Sequence, residues 1–92
     1  MNWSILTTAS FDRRARKFLA RRPDLRPRLG EILTQLAVDP FEPALKLHAR
    51  GGKLQGLQAV SLTYRHGITL TLQITAQEIL LIDIGGHDEV YG

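Results

Sequence analysis

Apolar positions recur along the chain with two different periods, and the change from one to the other divides it. After Ser10, a good helix-capping residue, Phe11, Ala15, Phe18 and Leu19 stand at helical spacing. Leu25, Leu29, Ile32, Leu33 and Leu36 form a second helical stripe, set off by Pro23, and Pro27 fits only in its opening turn. Asp39-Pro40 ends that helix, and Phe41 to Ala44 reads as a loop. Trp3 to Thr8, before the first helix, predicts a short strand.

Later the period falls to two. Val60, Leu62 and Tyr64 share one side of a strand over Ala59 to Tyr64, and Ile68, Leu70, Leu72 and Ile74 alternate with Thr69, Thr71 and Gln73. His66-Gly67 is the expected hairpin turn between them, with His66 solvated. Thr75-Ala76-Gln77 leads into Ile79 to Ile84, a near-continuous apolar run that predicts a strand buried on both faces, closed by Gly85-Gly86. The order β-α-α-β-β-β predicts an α+β fold: two N-terminal helices packed on a mainly antiparallel four-stranded sheet, as one domain over residues 1–92. If Leu80, Ile82 and Ile84 point to the helices, then Ser61, Thr63, Thr69, Thr71, Gln73 and Asp83 share the other face, joined by Arg65 if its strand extends that far. That face is either a bed for an extended polar ligand or simply the wet side of a sheet.

Composition narrows the setting. The 92 residues allow a modest core, and the chain has no cysteine, so disulfides and thiolate metal sites are unavailable. No apolar run has the length of a signal peptide or a membrane span, so a cytoplasmic protein without membrane contact is expected. Net charge is only +3, yet eight of the twelve basic residues lie between Arg13 and Arg28. Such a stripe, including Arg13, Arg14, Lys17 and Arg21, suits nucleic acid or an acidic protein, or is a solvated helix face.

Several chemistries drop out. Gly51-Gly52-Lys53-Leu54-Gln55-Gly56 lacks the spacing of a phosphate loop, no serine sits in a nucleophile elbow, and His48, His66 and His87 lack metal-ligand spacing. Neither a metal nor another cofactor is expected. What remains is a scatter of His48, Ser61, Arg65, His66, Asp83, His87 and Tyr91 that a curled sheet would gather.

Two stretches carry a family resemblance. Leu45-x-x-His48-x-x-x-Gly52-Lys53-Leu54-x-Gly56-Leu57-x-Ala59-x-Ser61, followed by Leu80-Leu81-Ile82-Asp83-Ile84-Gly85-Gly86-His87-Asp88-Glu89-Val90-Tyr91, resembles the RelE/ParE superfamily of bacterial toxins, in particular its RelE/StbE and YafQ-like branch. The resemblance implies the toxin of a type II toxin–antitoxin module, with a cognate antitoxin as partner in a hetero-oligomer. RelE-like and YafQ-like members cut mRNA in the ribosomal A site, whereas ParE-like members inhibit DNA gyrase. A weakened homologue that only binds its antitoxin is a third possibility.

For the endoribonuclease branch the resemblance implies attack of a ribose 2′-hydroxyl on the adjacent phosphate. That reaction needs a base, an acid and positive charge at the phosphate. His87 occupies the place of the family's active-site histidine. Tyr91 matches a position that stacks on a base or assists proton transfer, unless its ring packs into the core. His48 matches a histidine that YafQ-like toxins use, or is an ordinary surface residue. Ser61 stands where those toxins have a further histidine, and Gly67 where many relatives have an arginine, so the phosphate charge is assigned to Arg65. Lys53, Ser61, Asp83, Arg13, Arg14, Lys17 and Arg21 are the expected RNA contacts.

Overall fold

A computed structural model describes residues 2–50 and 56–86. Strand β1 (Ser4–Thr7) leads into helices α1 (Ala9–Arg21) and α2 (Arg26–Val38), with a short 3-10 turn between them. Strands β2 (His48–Ala49), β3 (Gln58–Ser61), β4 (His66–Gln73) and β5 (Glu78–Gly86) follow. The sheet has five strands in the order β1-β5-β4-β3-β2, one more than the four expected, because His48–Ala49 pairs along β3. All neighbours are antiparallel except β1, which runs parallel to β5. A two-residue strand leaves no periodicity to read.

Thr8, not Ser10, caps α1. Its backbone is extended, its hydroxyl oxygen accepts the Phe11 amide at 3.0 Å, and its proton goes to the Leu81 carbonyl at 3.1 Å. One side chain thus ends β1, starts the helix and ties it to β5. Pro27 lies in the first turn of α2 and Asp39 ends that helix, as the pattern predicts. Phe11, Leu29, Ile32 and Leu36 from the helices join Val60, Leu62, Ile68, Leu70, Ile79, Leu81 and Ile84 from the sheet side in a single core.

The hairpin turn is Leu62 to Arg65, and His66 opens β4 instead of forming the turn. Leu62 is buried at the turn, while Tyr64, expected beside it on the inner face, is 85% exposed. Ile74 also leaves its strand for the next turn and is exposed. In β5 the expected inward set is corrected by one extra residue. Thr69 pairs with Asp83 but Leu70 with Leu81, so Ile82 has no partner of its own. This bulge reverses the phase: Ile79, Leu81 and Ile84 enter the core, and Leu80 and Ile82 are only half-buried. Thr69, expected on a wet face, is buried. β1 pairs only as far as Thr7 with Leu81, so the stretch of β5 from Ile82 to Gly86 continues past its parallel neighbour.

Candidate RNA-binding and cleavage surfaces

The register assembles one face of the sheet. His48 pairs with Ala59, Ala59 with Thr69 and Thr69 with Asp83, which forms a row across four strands. Cross-strand partners share a face, and residues two apart along a strand do too. Ser61, Gly67 and Gly85 therefore form a second row on the same side. His48 and Asp83 stand at opposite ends of their row, three strand spacings or roughly 14 Å apart.

His48 is exposed on the short edge strand. Its Nδ1 lies 2.8 Å from the Lys46 carbonyl oxygen. A carbonyl only accepts, so Nδ1 carries the proton and a neutral ring holds its lone pair on Nε2. That is the form a general base requires.

The other side of the sheet end is cationic. Arg14, Lys17, Phe18, Arg21 and Arg22 on or just beyond α1, with His66, Ile84 and Gly86, line an open cleft of about 310 Å³. Positions 14, 17, 18, 21 and 22 fall on one helix face. This part of the basic stripe borders the end of the sheet. Arg13 and Arg16 are exposed elsewhere on the helix. The His66 ring meets Phe18 edge-on at 5.1 Å between centroids, half-buried in place of the expected solvated turn position.

Two carboxylates sit among these cations. Arg22 grips Asp24 through Nε and Nη2 at 3.1 and 3.0 Å. The hydrogen-bonded guanidinium of Arg22 holds the Asp24 carboxyl below its usual range, with desolvation opposing it. Asp83, on the face where it was expected, accepts from Arg14 Nε at 2.9 Å and from the Ile84 amide at 2.8 Å. Pleat alternation puts Asp83 opposite Ile84, and α1 lies on Ile84's side, so Arg14 reaches it past the edge of β5 beyond its pairing with β1.

Arg65 lies exposed in the turn, not on a strand face, with its guanidinium 5.9 Å from the centre of the Tyr64 ring. A Cβ built on Gly86 would lie 3.7 Å from the Arg65 carbonyl oxygen, so the residue just before His87 is beside Arg65. His87, Tyr91 and Lys53 fall outside the described residues. Arg22 and Tyr64 are the additions the structure makes, and it moves His66, one of the gathered candidates, from the turn into the cleft wall. Arg22 was legible as the i+8 partner of Arg14; the exposure of Tyr64 depended on the true position of the turn. No helix among the described residues is long and apolar enough to cross a membrane.

Neither a protein-family model nor a curated protein matches this chain. Solved structures do. YafQ from E. coli strain BL21(DE3) superposes with a TM-score of 0.79 at 15% identity, covering 98% of this chain and 99% of YafQ. A mutant toxin from Helicobacter pylori gives 0.76 at 22% identity, covering 98% and 99%. The RelBE2 toxin–antitoxin complex of Mycobacterium tuberculosis gives 0.63 at 12%, covering 94% and 92%. From first strand to last, the chain has the fold of the RelE- and YafQ-type toxins.

Proposed function

We propose that this protein is the toxin of a type II toxin–antitoxin pair and an endoribonuclease that cuts mRNA on the ribosome. The fold supports the first part, since RelBE2 was crystallised as a toxin–antitoxin complex. The observation that carries the second is the row from His48 to Asp83, beside Ser61, on a sheet face whose last strand runs directly into His87. Ala59 and Thr69 in the middle of the row are buried, so RNA meets this face at its ends, at His48 and at Asp83.

In the reaction the 2′-hydroxyl proton passes to a base as the 2′-oxygen bonds to phosphorus. The bond from phosphorus to the 5′-oxygen breaks, and that oxygen takes a proton. The products are a 2′,3′-cyclic phosphate and a 5′-hydroxyl, with no water consumed. His48, with its lone pair on Nε2, suits the base; His87 supplies the acid; Arg65 offsets charge on the phosphate; Tyr91 stacks on a base. Arg13, Arg14, Lys17, Arg21 and Lys53 neutralise phosphates of mRNA or ribosomal RNA.

Induced expression tests this reading. Growth should stop, primer extension should reveal discrete cuts in translated mRNA, and His87→Ala should abolish both. Arrest with intact mRNA and trapped gyrase would replace the nuclease with a gyrase inhibitor.

A further inference from the structure

The end of the sheet away from the cationic cleft presents apolar side chains to solvent, and three segments meet there. The Trp3 amide donates to the Ala37 carbonyl, near the end of α2, at 2.6 Å, and its ring meets that of Phe41 edge-on at 6.0 Å between centroids. The Ser4 amide donates at 2.9 Å to the carbonyl of Gln77, in the turn that starts at Ile74. Val38, Phe41 and Ile74 are each more than half exposed, and Trp3 is half-buried. Phe41 does not hang on a loose loop. Pro40 before it is fully buried, Pro43 opens a 3-10 turn after it, and Asp39 Oδ1 accepts its amide at 2.9 Å. Apolar side chains grouped in this way on a preformed surface mark a contact with another macromolecule, because little ordering remains to be done on binding.

Charge decides what kind of partner fits. Residues 2–7, 37–45 and 73–79 contain none of the chain's twelve lysines and arginines, but they contain the carboxylates of Asp39, Glu42 and Glu78. Among the described residues no ion pair neutralises these three. Such a surface repels a polyanion and attracts a cationic chain. We propose that the face formed by Trp3, Val38, Phe41 and Ile74 docks a lysine- or arginine-rich protein segment with apolar anchors. The anchors cover the rings, and the cations meet Asp39, Glu42 and Glu78. Strand β4 separates this end from the cleft by roughly 23 Å, so a basic protein here and a polyanion on the α1 cations can be held together. The proposal uses none of the residues assigned to RNA cleavage and does not depend on the nuclease reading.

Trp3 is the chain's single tryptophan, so its fluorescence in the full chain reports on this face directly. The probe is a synthetic amphipathic peptide of leucine and lysine, with the same peptide carrying glutamate for lysine as control. The lysine peptide should shift Trp3 emission to shorter wavelength, saturably, and added salt should weaken it. The glutamate peptide should bind about tenfold more weakly or worse. Phe41→Ser should weaken binding of the lysine peptide about tenfold, and Ile74→Ser should act in the same direction, each with an unchanged circular dichroism spectrum. Asp39→Asn with Glu42→Gln keeps both amide acceptors and removes two charges. That double variant should bind about threefold more weakly or worse and lose much of the salt dependence. Equal binding of the two peptides would overturn the proposal, as would affinity unchanged in Phe41→Ser and Ile74→Ser. Displacement of the lysine peptide from Trp3 by 2′-O-methyl RNA, which cannot be cut, would assign the face to nucleic acid instead. Self-association in sedimentation that Phe41→Ser abolishes would assign it to a second copy of this chain.

Discussion

Arg14 and Asp83 meet around the edge of β5: the guanidinium Nε lies 2.9 Å from a carboxylate oxygen that also accepts the Ile84 amide at 2.8 Å. The contact links the helix side of the sheet to its opposite face, so the position of one cleft cation depends on a residue beyond the strand.

A double-mutant cycle on Arg14→Ala and Asp83→Ala should give a coupling of about 0.5–1 kcal/mol that shrinks with salt. The two side chains are 38% and 30% exposed, which limits what the pair can contribute. Asp83→Ala should cost more alone than Arg14→Ala, because it also strips the Ile84 amide of an acceptor. Urea denaturation measures both.

Thr8→Ala should destabilise the fold by about 1–2 kcal/mol, since it removes the α1 cap and the bond to the Leu81 carbonyl together. Thr8→Ser keeps both groups and should recover most of the loss, read in the same denaturation experiment.

Gly30 lies inside α2, exposed, and a Cβ there would meet nothing within 4 Å. Gly30→Ala should therefore stabilise the protein by about 0.5–1 kcal/mol, a rise of several degrees in Tm.

Asp24→Asn should release Arg22 to the cleft and remove a negative charge beside it. RNA should bind more tightly, and the slope of log K against log salt should steepen by roughly 0.7 for each added phosphate contact. The sign with pH follows from the lowered Asp24 pKa. Its stabilising contribution is present above the ordinary carboxylate range near about pH 4 and is lost as pH falls through the lower folded value. In Asp24→Asn this acid-side dependence should vanish.

The helices were legible because their stripes and stops agree: the apolar spacing, Pro27 at an opening turn and Asp39 at an end all say the same thing. β5 was legible as a strand but not in phase, since a run from Ile79 to Ile82 without a polar residue carries no alternation, and one bulged residue then moves Ile84 and Asp83 relative to Leu80. The hairpin was misplaced because Leu62 and Tyr64 look like strand residues and a His-Gly pair looks like a turn. What decides it is Thr63, whose hydroxyl binds two amides and a ring at once. For the site, the charge on α1 could be read directly, but its two-sided use could not. Asp83 shares a face with Thr69 and Ser61, as the alternation predicts, but its hold on Arg14 and the contact of His48 with the Lys46 carbonyl depend on partners that no side-chain pattern reveals.

A strand that outruns its neighbour invites other chains to line up along it, which is how soluble sheets begin to stack into fibres. Between Ile82 and Gly86 that invitation is declined. The bulge bends the strand, and Asp83 occupies an amide that a foreign strand would otherwise seek, with Arg14 folded over the same place. Charge and curvature at this one corner guard the protein against self-association.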